Sequence, residues 1–318
     1  MNILLNNYCN LTCEYCFANH VLEKDRINMS LQSFHKVIEF AKRSNLETIN
    51  LIGGEPTLHP NFNEIIDKID QQNFINSIML FTNGVFKRKQ HDRLLEYSKT
   101  SNLKMLINYN DFRGTKVMDI MNNNIKELRD HAEITLGINF YKKDQDFDYI
   151  IKASKENGLK YIRWSLVVPN TELKAEIDVR NYYLDNKDMI LRFLKACLEN
   201  ELIPHVDCNN IPLCLLNDEE LRVFAFSSEL NLKTSVCETV IDILPNLKVI
   251  RCFAFSEYEV DLEDFKDVEE LSDHFTRAVD DKFNGVTLFE DCKDCKSFHY
   301  RSKSCACLKF KEPITKIV

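Results

Sequence analysis

The sequence predicts an α/β fold in which parallel strands and crossover helices curl into a partial or complete barrel, with a smaller irregular region after it. Three observations lead there. Up to residue 168, six short apolar runs alternate with stretches whose apolar residues recur at a period near 3.6, as parallel strands joined by crossover helices require. The composition, 44% hydrophobic and 28% charged with only 7 Gly and 7 Pro in 318 residues, is that of a folded chain and not of a disordered or Pro-rich one. Beyond residue 168 the alternation loosens into loops that carry most of the 12 cysteines.

Taken in order, strands are expected at Asn2 to Leu5, Thr48 to Ile52, Ser77 to Thr82, Lys104 to Asn108, Thr135 to Phe140 and Tyr161 to Val168. Ser30 is placed to cap a helix whose Leu31, Phe34, Val37, Ile38 and Ala41 share one face. Further helices are expected near Asn63 to Gln71, Arg88 to Ser98, Met118 to Arg129 and Phe147 to Glu156, the last stopped by Asn157-Gly158. A final amphipathic helix, about Asp188 to Asn200, precedes Pro204, Pro212 and an acidic stretch from Asp261 to Glu270. The domain boundary therefore falls near residue 200, dividing 1–200 from 201–318.

Charge and targeting signals narrow the function. Lys and Arg number 41 against 49 Asp and Glu, a net charge of −8 that repels a phosphate backbone, so no nucleic-acid partner is expected. Residues 1–10 lack the basic and long apolar parts of a secretory signal, and no apolar run reaches the roughly 18 to 20 residues of a membrane span. The expected compartment is the cytoplasm, where clustered thiols read as metal ligands before they read as disulfides.

Cys9, Cys13 and Cys16 lie in CNLTCEYC, just past the first strand, where the strand-end loops of a barrel build active sites. Three thiolates this close suit three corners of a cubane 4Fe-4S cluster, leaving the fourth iron open to bind a ligand. A structural zinc site closed by His20 is the alternative.

CNLTCEYC also resembles the CxxxCxΦC signature of the radical S-adenosylmethionine (SAM) superfamily, with Tyr15 at the aromatic position, and GGEPTLHP at Gly53 to Pro60 resembles its second signature. FTNG at Phe81 to Gly84 ends the third strand as in many members. The resemblance implies a partial (β/α)6 TIM-like barrel over residues 1–200, with SAM chelating the open iron through its amine and carboxylate. Gly53 and Gly54 lack side chains, so strand-end backbone is free to approach that amine, and Glu55 adds a negative partner. Pro56 fixes the turn. Asn108, Asn139 and Arg163, on or near later strand ends, are candidates for the ribose or carboxylate of SAM, or else ordinary rim and salt-bridge residues. The implied chemistry is one-electron cleavage of SAM to methionine and a 5′-deoxyadenosyl radical, which takes hydrogen from an unactivated C–H bond; the electron would come from a donor such as flavodoxin or ferredoxin.

Eight more cysteines follow residue 200: Cys208, Cys214, Cys237, Cys252, Cys292, Cys295, Cys305 and Cys307. Cys-x2-Cys followed by Cys-x-Cys is a metal-binding pattern. The region resembles the small irregular α+β SPASM or twitch extension of radical SAM enzymes, which carries one or two auxiliary 4Fe-4S clusters. Val240 to Ile250 resembles its hairpin, with Leu247 standing where Gly is usual. Two clusters, one cluster, or a zinc at Cys292, Cys295, Cys305 and Cys307 remain open. Cys197, within DMILRFLKACLEN, reads as a packing thiol or as the donor that returns a hydrogen atom in an epimerisation. His59, His205 and His299 read as polar loop residues.

The resemblance implies an enzyme that modifies a peptide or protein by crosslink, thioether or epimerisation. The chain starts at its first strand, so a precursor is expected to be held by the barrel mouth, the C-terminal region or a separate recognition protein. A dehydrogenase or cyclase acting on an amino sugar or nucleotide, and a non-catalytic iron-sulfur or zinc protein that scaffolds or senses redox state, are the alternatives.

Overall fold

The structure, a computed structural model, describes residues 1–16, 26–110, 114–167, 178–227, 240–256, 258–283 and 288–289. The chain forms two compact units, Met1–Thr135 with Thr239–Thr276, and Leu136–Glu238 with Arg277–Val318.

In the first unit, β1 (Asn2–Leu4), β2 (Thr48–Ile52), β3 (Ser77–Thr82) and β4 (Asn102–Asn108) run parallel in that order. Ile3, Leu51, Leu80 and Ile107 on these strands are fully buried. Helix α1 (Leu31–Arg43) starts where expected because the Ser30 hydroxyl accepts from Ser33 N–H at 2.9 Å, and it buries Phe34, Val37, Ile38 and Ala41. Phe34, Val37 and Ile38 each contribute about 1.5–3 kcal/mol of burial. Helices α2 (Phe62–Asp70), α3 (Arg88–Tyr97) and α4 (Thr115–Leu128) follow the remaining strands, within three residues of their expected limits.

In the second unit β5 (Glu133–Phe140, whose body from Leu136 lies here), β6 (Tyr161–Leu166) and β7 (Ile203–Val206) are parallel. Helix α5 (Asp148–Glu156) ends at Gly158, whose φ of 66° is the left-handed turn expected there. Helix α6 (Val179–Glu199) begins nine residues before the expected Asp188, because Asp178 caps it through the N–H groups of Arg180 and Asn181. Strand β7 was not expected, since Pro204 interrupts it. Ile203 and Asp207 donate toward β6, to Lys160 O and Trp164 O, so the period-2 alternation turns the position of Pro204, which has no N–H, away from the ladder. Helix α7 (Asp218–Ser227) was also not anticipated.

Residues 240–276, which the sequence assigns to the second domain, pack with the first unit. Strand β8 (Asp242–Ile243) pairs parallel with β1, placing Asp242 opposite Asn2, and continues antiparallel through β9 (Lys248–Ile250) to β10 (Glu259–Asp261). The β8–β9 connection is the hairpin expected around Pro245-Asn246-Leu247, closed by Leu247 N–H to Leu244 O at 3.0 Å. Leu247 has a φ of 66°, the conformation for which Gly is the usual choice. Part of the expected acidic stretch folds into β10, and helix α8 (Val268–Ala278) follows it with Leu271 and Phe275 buried.

Candidate metal centre

The backbone beyond β1 continues alongside the backbone beyond β2. Gly54 N–H donates to Asn6 O at 3.0 Å, Glu55 N–H to Tyr8 O at 2.9 Å, and the Asn6 side-chain amide to Glu55 O at 2.8 Å. This approach is why both glycines are needed. A Cβ on Gly54 would sit 2.2 Å from the Tyr8 carbonyl carbon and oxygen, and one on Gly53 would sit 2.6 Å from Asn6 Oδ1. The space the glycines leave is thus filled on this side by the chain leading into the cysteines.

Cys9, Cys13 and Cys16 are partly exposed thiols on that loop. Its return strand is pinned beside its entry: Asn7 N–H donates to Ile27 O, and Met29 N–H to Leu5 O. A Cys13–Cys16 turn closes through Cys16 N–H to Cys13 O at 3.0 Å. Cys16 packs against Leu4, Ile250 and Phe253, so the β8–β9 hairpin forms part of the wall behind the third thiol. The Tyr15 hydroxyl reaches the buried Asn110 side chain, 3.4 Å away beyond the end of β4. Burial pushes the Cys9 thiol up to about 11, while Leu11 N–H and the Asn83 side chain pull it back.

Glu55 is neither a solvated loop carboxylate nor an open one. It is completely buried, and Oε1 accepts from Thr57 N–H (3.2 Å), Thr57 Oγ1 (2.6 Å) and Thr82 Oγ1 (2.8 Å), while Oε2 accepts from Asn83 N–H (2.8 Å). Burial pushes its pKa up from the ordinary carboxylate value, against the pull of those donors. The carboxylate therefore ties the β2 end to the β3 end directly beneath the cysteine loop. His59 is also not a loop-surface residue: it is buried, with Nδ1 accepting from Asn61 N–H and Nε2 at 2.9 Å from Met29 O, which fixes the neutral tautomer protonated on Nε2. It anchors the segment that closes the cysteine loop.

Sequence reasoning did not select Asn83 and Asn10 as site residues. The Asn83 amide lies 3.5 Å from Cys9 Sγ and 2.7 Å from Asn10 Oδ1. The available signal was FTNG, where Asn83 is the Asn.

Of the other predicted residues, Asn108 closes β4, Asn139 lies on β5 with its carbonyl taken by Gln145, and Arg163 on β6 is ion-paired with Asp207, which holds the guanidinium charged against its burial. Cys197 is completely buried in α6, with its thiol pushed up by burial. A hydrogen-atom donor must touch substrate, and this thiol is enclosed by packing. Cys208 is exposed after β7, Cys214 lies in a single helical turn (Leu213–Leu215), and Cys252 follows β9. His20, Cys237, Cys292, Cys295, His299, Cys305 and Cys307 lie outside the described residues.

Among the described residues no three His, Cys, Asp or Glu side chains converge as the ligands of a single ion. A cubane makes a different demand, taking each thiolate at a separate iron. The all-thiol donor set, with N–H groups aimed at Cys9, fits that group.

The parallel strands and crossover helices define an α/β protein with three cysteines, Cys9, Cys13 and Cys16, in the loop beyond the first strand. Residues 3–125 match the model of the Radical SAM superfamily. Members of that superfamily use a 4Fe-4S cluster and SAM. A GTP 3′,8-cyclase of Aquifex aeolicus is 25% identical over 200 residues, 61% of this chain and 55% of that protein. The antilisterial bacteriocin subtilosin biosynthesis protein AlbA of Bacillus subtilis is 29% identical over 139 residues, 40% of this chain and 30% of that protein. The chain thus spans about half or less of these curated relatives. Among solved structures, Streptococcus suis SuiB bound to SAM superposes with a TM-score of 0.65 at 13% identity, covering 98% of this chain and 74% of SuiB. SuiB bound to its precursor peptide SuiA gives 0.60 at 16% identity, covering 96% of this chain and 69% of SuiB. These likenesses show the fold, the radical SAM partial barrel.

Proposed function

We propose that this chain is a radical SAM enzyme that acts in the cytoplasm on a peptide or protein, removing hydrogen from a side chain or α-carbon on the way to a crosslink, a thioether or an epimer. The observation that carries the reading is the three-thiol loop, closed at its base and hydrogen-bonded along the Gly53-Gly54-Glu55 strand end. Cys9, Cys13 and Cys16 would hold a 4Fe-4S cluster, which would supply the one-electron reduction that cleaves SAM to methionine and a hydrogen-abstracting 5′-deoxyadenosyl radical.

The chain's own residues hold and orient. Cys9, Cys13 and Cys16 are assigned as the cluster ligands. The partly exposed strand end at Gly53 and Gly54, with Asn108, Asn139 and Arg163, is assigned to SAM, although Arg163 is already ion-paired with Asp207. Glu55 is assigned to holding the loop and not to touching SAM, because chain donors surround its buried carboxylate. Cys208, Cys214, Cys237, Cys252, Cys292, Cys295, Cys305 and Cys307 are assigned to one or two auxiliary clusters in a SPASM/twitch-like domain over 201–318. Flavodoxin or ferredoxin is the expected electron source.

The peptide substrate is supported by the SuiB fold, which accompanies nearly the whole chain and in SuiB receives a precursor peptide. A nucleotide or other small molecule is the second reading, supported by the GTP 3′,8-cyclases and by a Selenomonas ruminantium nucleotide dehydratase, 36% identical over 85 residues. Protein reconstituted anaerobically with iron, sulfide, reductant and SAM is expected to form 5′-deoxyadenosine, and to form it faster with short peptides than with GTP or CTP. Full turnover by Cys13→Ala, or stimulation by nucleotides alone, refutes the cluster assignment or the peptide class respectively. Absence of 5′-deoxyadenosine from cluster-loaded protein favours a non-catalytic scaffold.

A further inference from the structure

We infer that Asn83 is a positioning residue for the cysteine loop, its side-chain amide donating an N–H···S hydrogen bond to Cys9 that tunes the potential of the cluster held there. The inference rests on the cluster assignment above and deepens it.

The orientation of the amide follows from its neighbours. The Asn10 amide nitrogen donates to Val85 O at 3.1 Å, which leaves Asn10 Oδ1 facing Asn83 at 2.7 Å and requires a nitrogen there. Asn83 Oδ1 accepts from Val85 N–H at 2.9 Å, which requires an oxygen at the other end. The same nitrogen that meets Asn10 lies 3.5 Å from Cys9 Sγ. Its backbone is fixed as well: Asn83 N–H is bound by Glu55 Oε2, and Gly84, at a φ of 75°, turns the chain away with its N–H on Thr82 Oγ1. Asn83 is 7% exposed, and its bonds to Cys9 and Asn10 are part-buried.

Leu11 N–H, 3.4 Å from the same sulfur, makes Cys9 a thiol with two donors from two different elements, its own loop and the β3 end. Hydrogen bonds to cluster sulfurs offset the negative charge that reduction adds, and so favour the reduced state. The bond to Asn83 spans from β1 across β2 to β3, so it also sets where the Cys9 corner sits relative to Gly53-Gly54.

The test uses the full chain, reconstituted anaerobically as wild type, Asn83→Ala and Asn83→Asp. Iron and sulfide content, thermal melting and an EPR-monitored redox titration are measured. The signal followed is the one that changes when SAM is added, which separates this cluster from auxiliary ones. Asn83→Asp keeps the shape and the Val85 contact but presents an oxygen to the sulfur. At the wild-type midpoint its reduced-to-oxidised ratio is expected to fall at least tenfold, about 59 mV for a one-electron couple. Asn83→Ala, which removes the donor without adding charge, is expected to fall several-fold. Loaded variants that both titrate at the wild-type midpoint overturn the inference. So does loss of the cluster from both variants while the chain stays folded, since Asn83 would then be a residue of loop assembly only. A wild-type chain without any SAM-responsive cluster instead refutes the underlying assignment, and does so before any substitution is made.

Discussion

Removing the Glu55 carboxylate should release the cysteine loop from the sheet. Its two backbone donors, Thr57 N–H and Asn83 N–H, sit where water does not reach, and the Thr57 and Thr82 hydroxyls share the same acceptor. In Glu55→Ala the two N–H groups lose their acceptor, and at about 2 kcal/mol for each buried unsatisfied donor the loss is about 4 kcal/mol, with the hydroxyls free to rotate to other partners. Glu55→Gln keeps Oε1 for three donors but turns an NH2 toward Asn83 N–H, which exchanges one charge-assisted bond for a donor facing a donor, a cost of about 1.5–3 kcal/mol. Urea unfolding followed by far-UV circular dichroism reads both values as changes in midpoint at constant slope. Iron retained per chain after gel filtration reports the loop itself and is expected to fall in the same order, Ala below Gln below wild type. If both variants unfold within about 0.5 kcal/mol of wild type, the ordinary range for surface substitutions, yet bind SAM more weakly, the carboxylate belongs to SAM and not to the fold.

Gly54→Ala places a methyl 2.2 Å from the Tyr8 backbone, so iron binding should drop by more than half with a lower melting temperature; a variant that loads iron normally refutes the close approach. His59, whose pKa burial lowers from 6.5, is bound neutral, so its contribution to stability is complete above 6.5 and is lost as pH falls toward its folded value; an NMR titration that places its imidazole at or above 6.5 contradicts this. Asp242 is pushed up from 3.8 to about 7 by burial, with the Asn2 amide and Arg251 pulling back. Its folded form holds the proton more tightly than the unfolded one, so its contribution is complete below 3.8 and is lost as pH rises to about 7, by up to about 1.4 kcal/mol per pH unit. Asp242→Asn should remove that slope from the difference between wild-type and variant stability curves.

The parallel strands from β1 to β6 and the helices α1 to α5 could be read from the sequence because each rests on local periodicity and local caps: the face of Phe34, Val37 and Ile38, the Ser30 cap and the Asn157-Gly158 stop all act within a few residues. The three clustered thiols and the Gly-Gly-Glu strand end were legible for the same reason. Strand β7 was hidden by Pro204, which is harmless only because of the side of the ladder on which it falls. The first nine residues of α6 depend on one Asp178 cap ahead of a weakly apolar turn.

What the sequence by itself determined is which residue types stand together along the chain: thiols at strand-end spacing, glycines beside a glutamate, apolar stripes at two periods. Only the tertiary structure decided what those residues face. It turned Glu55 inward to bind β3, filled the side of Gly53 and Gly54 with Asn6 and Tyr8, brought Ile250 and Phe253 behind Cys16 from more than 200 positions away, and set Asn83 against Cys9. The physical reason is range: periodicity and capping act over one or two turns of chain, whereas a hydrogen bond or a buried contact forms wherever folding brings two groups within a few ångströms, and no local pattern records that distance.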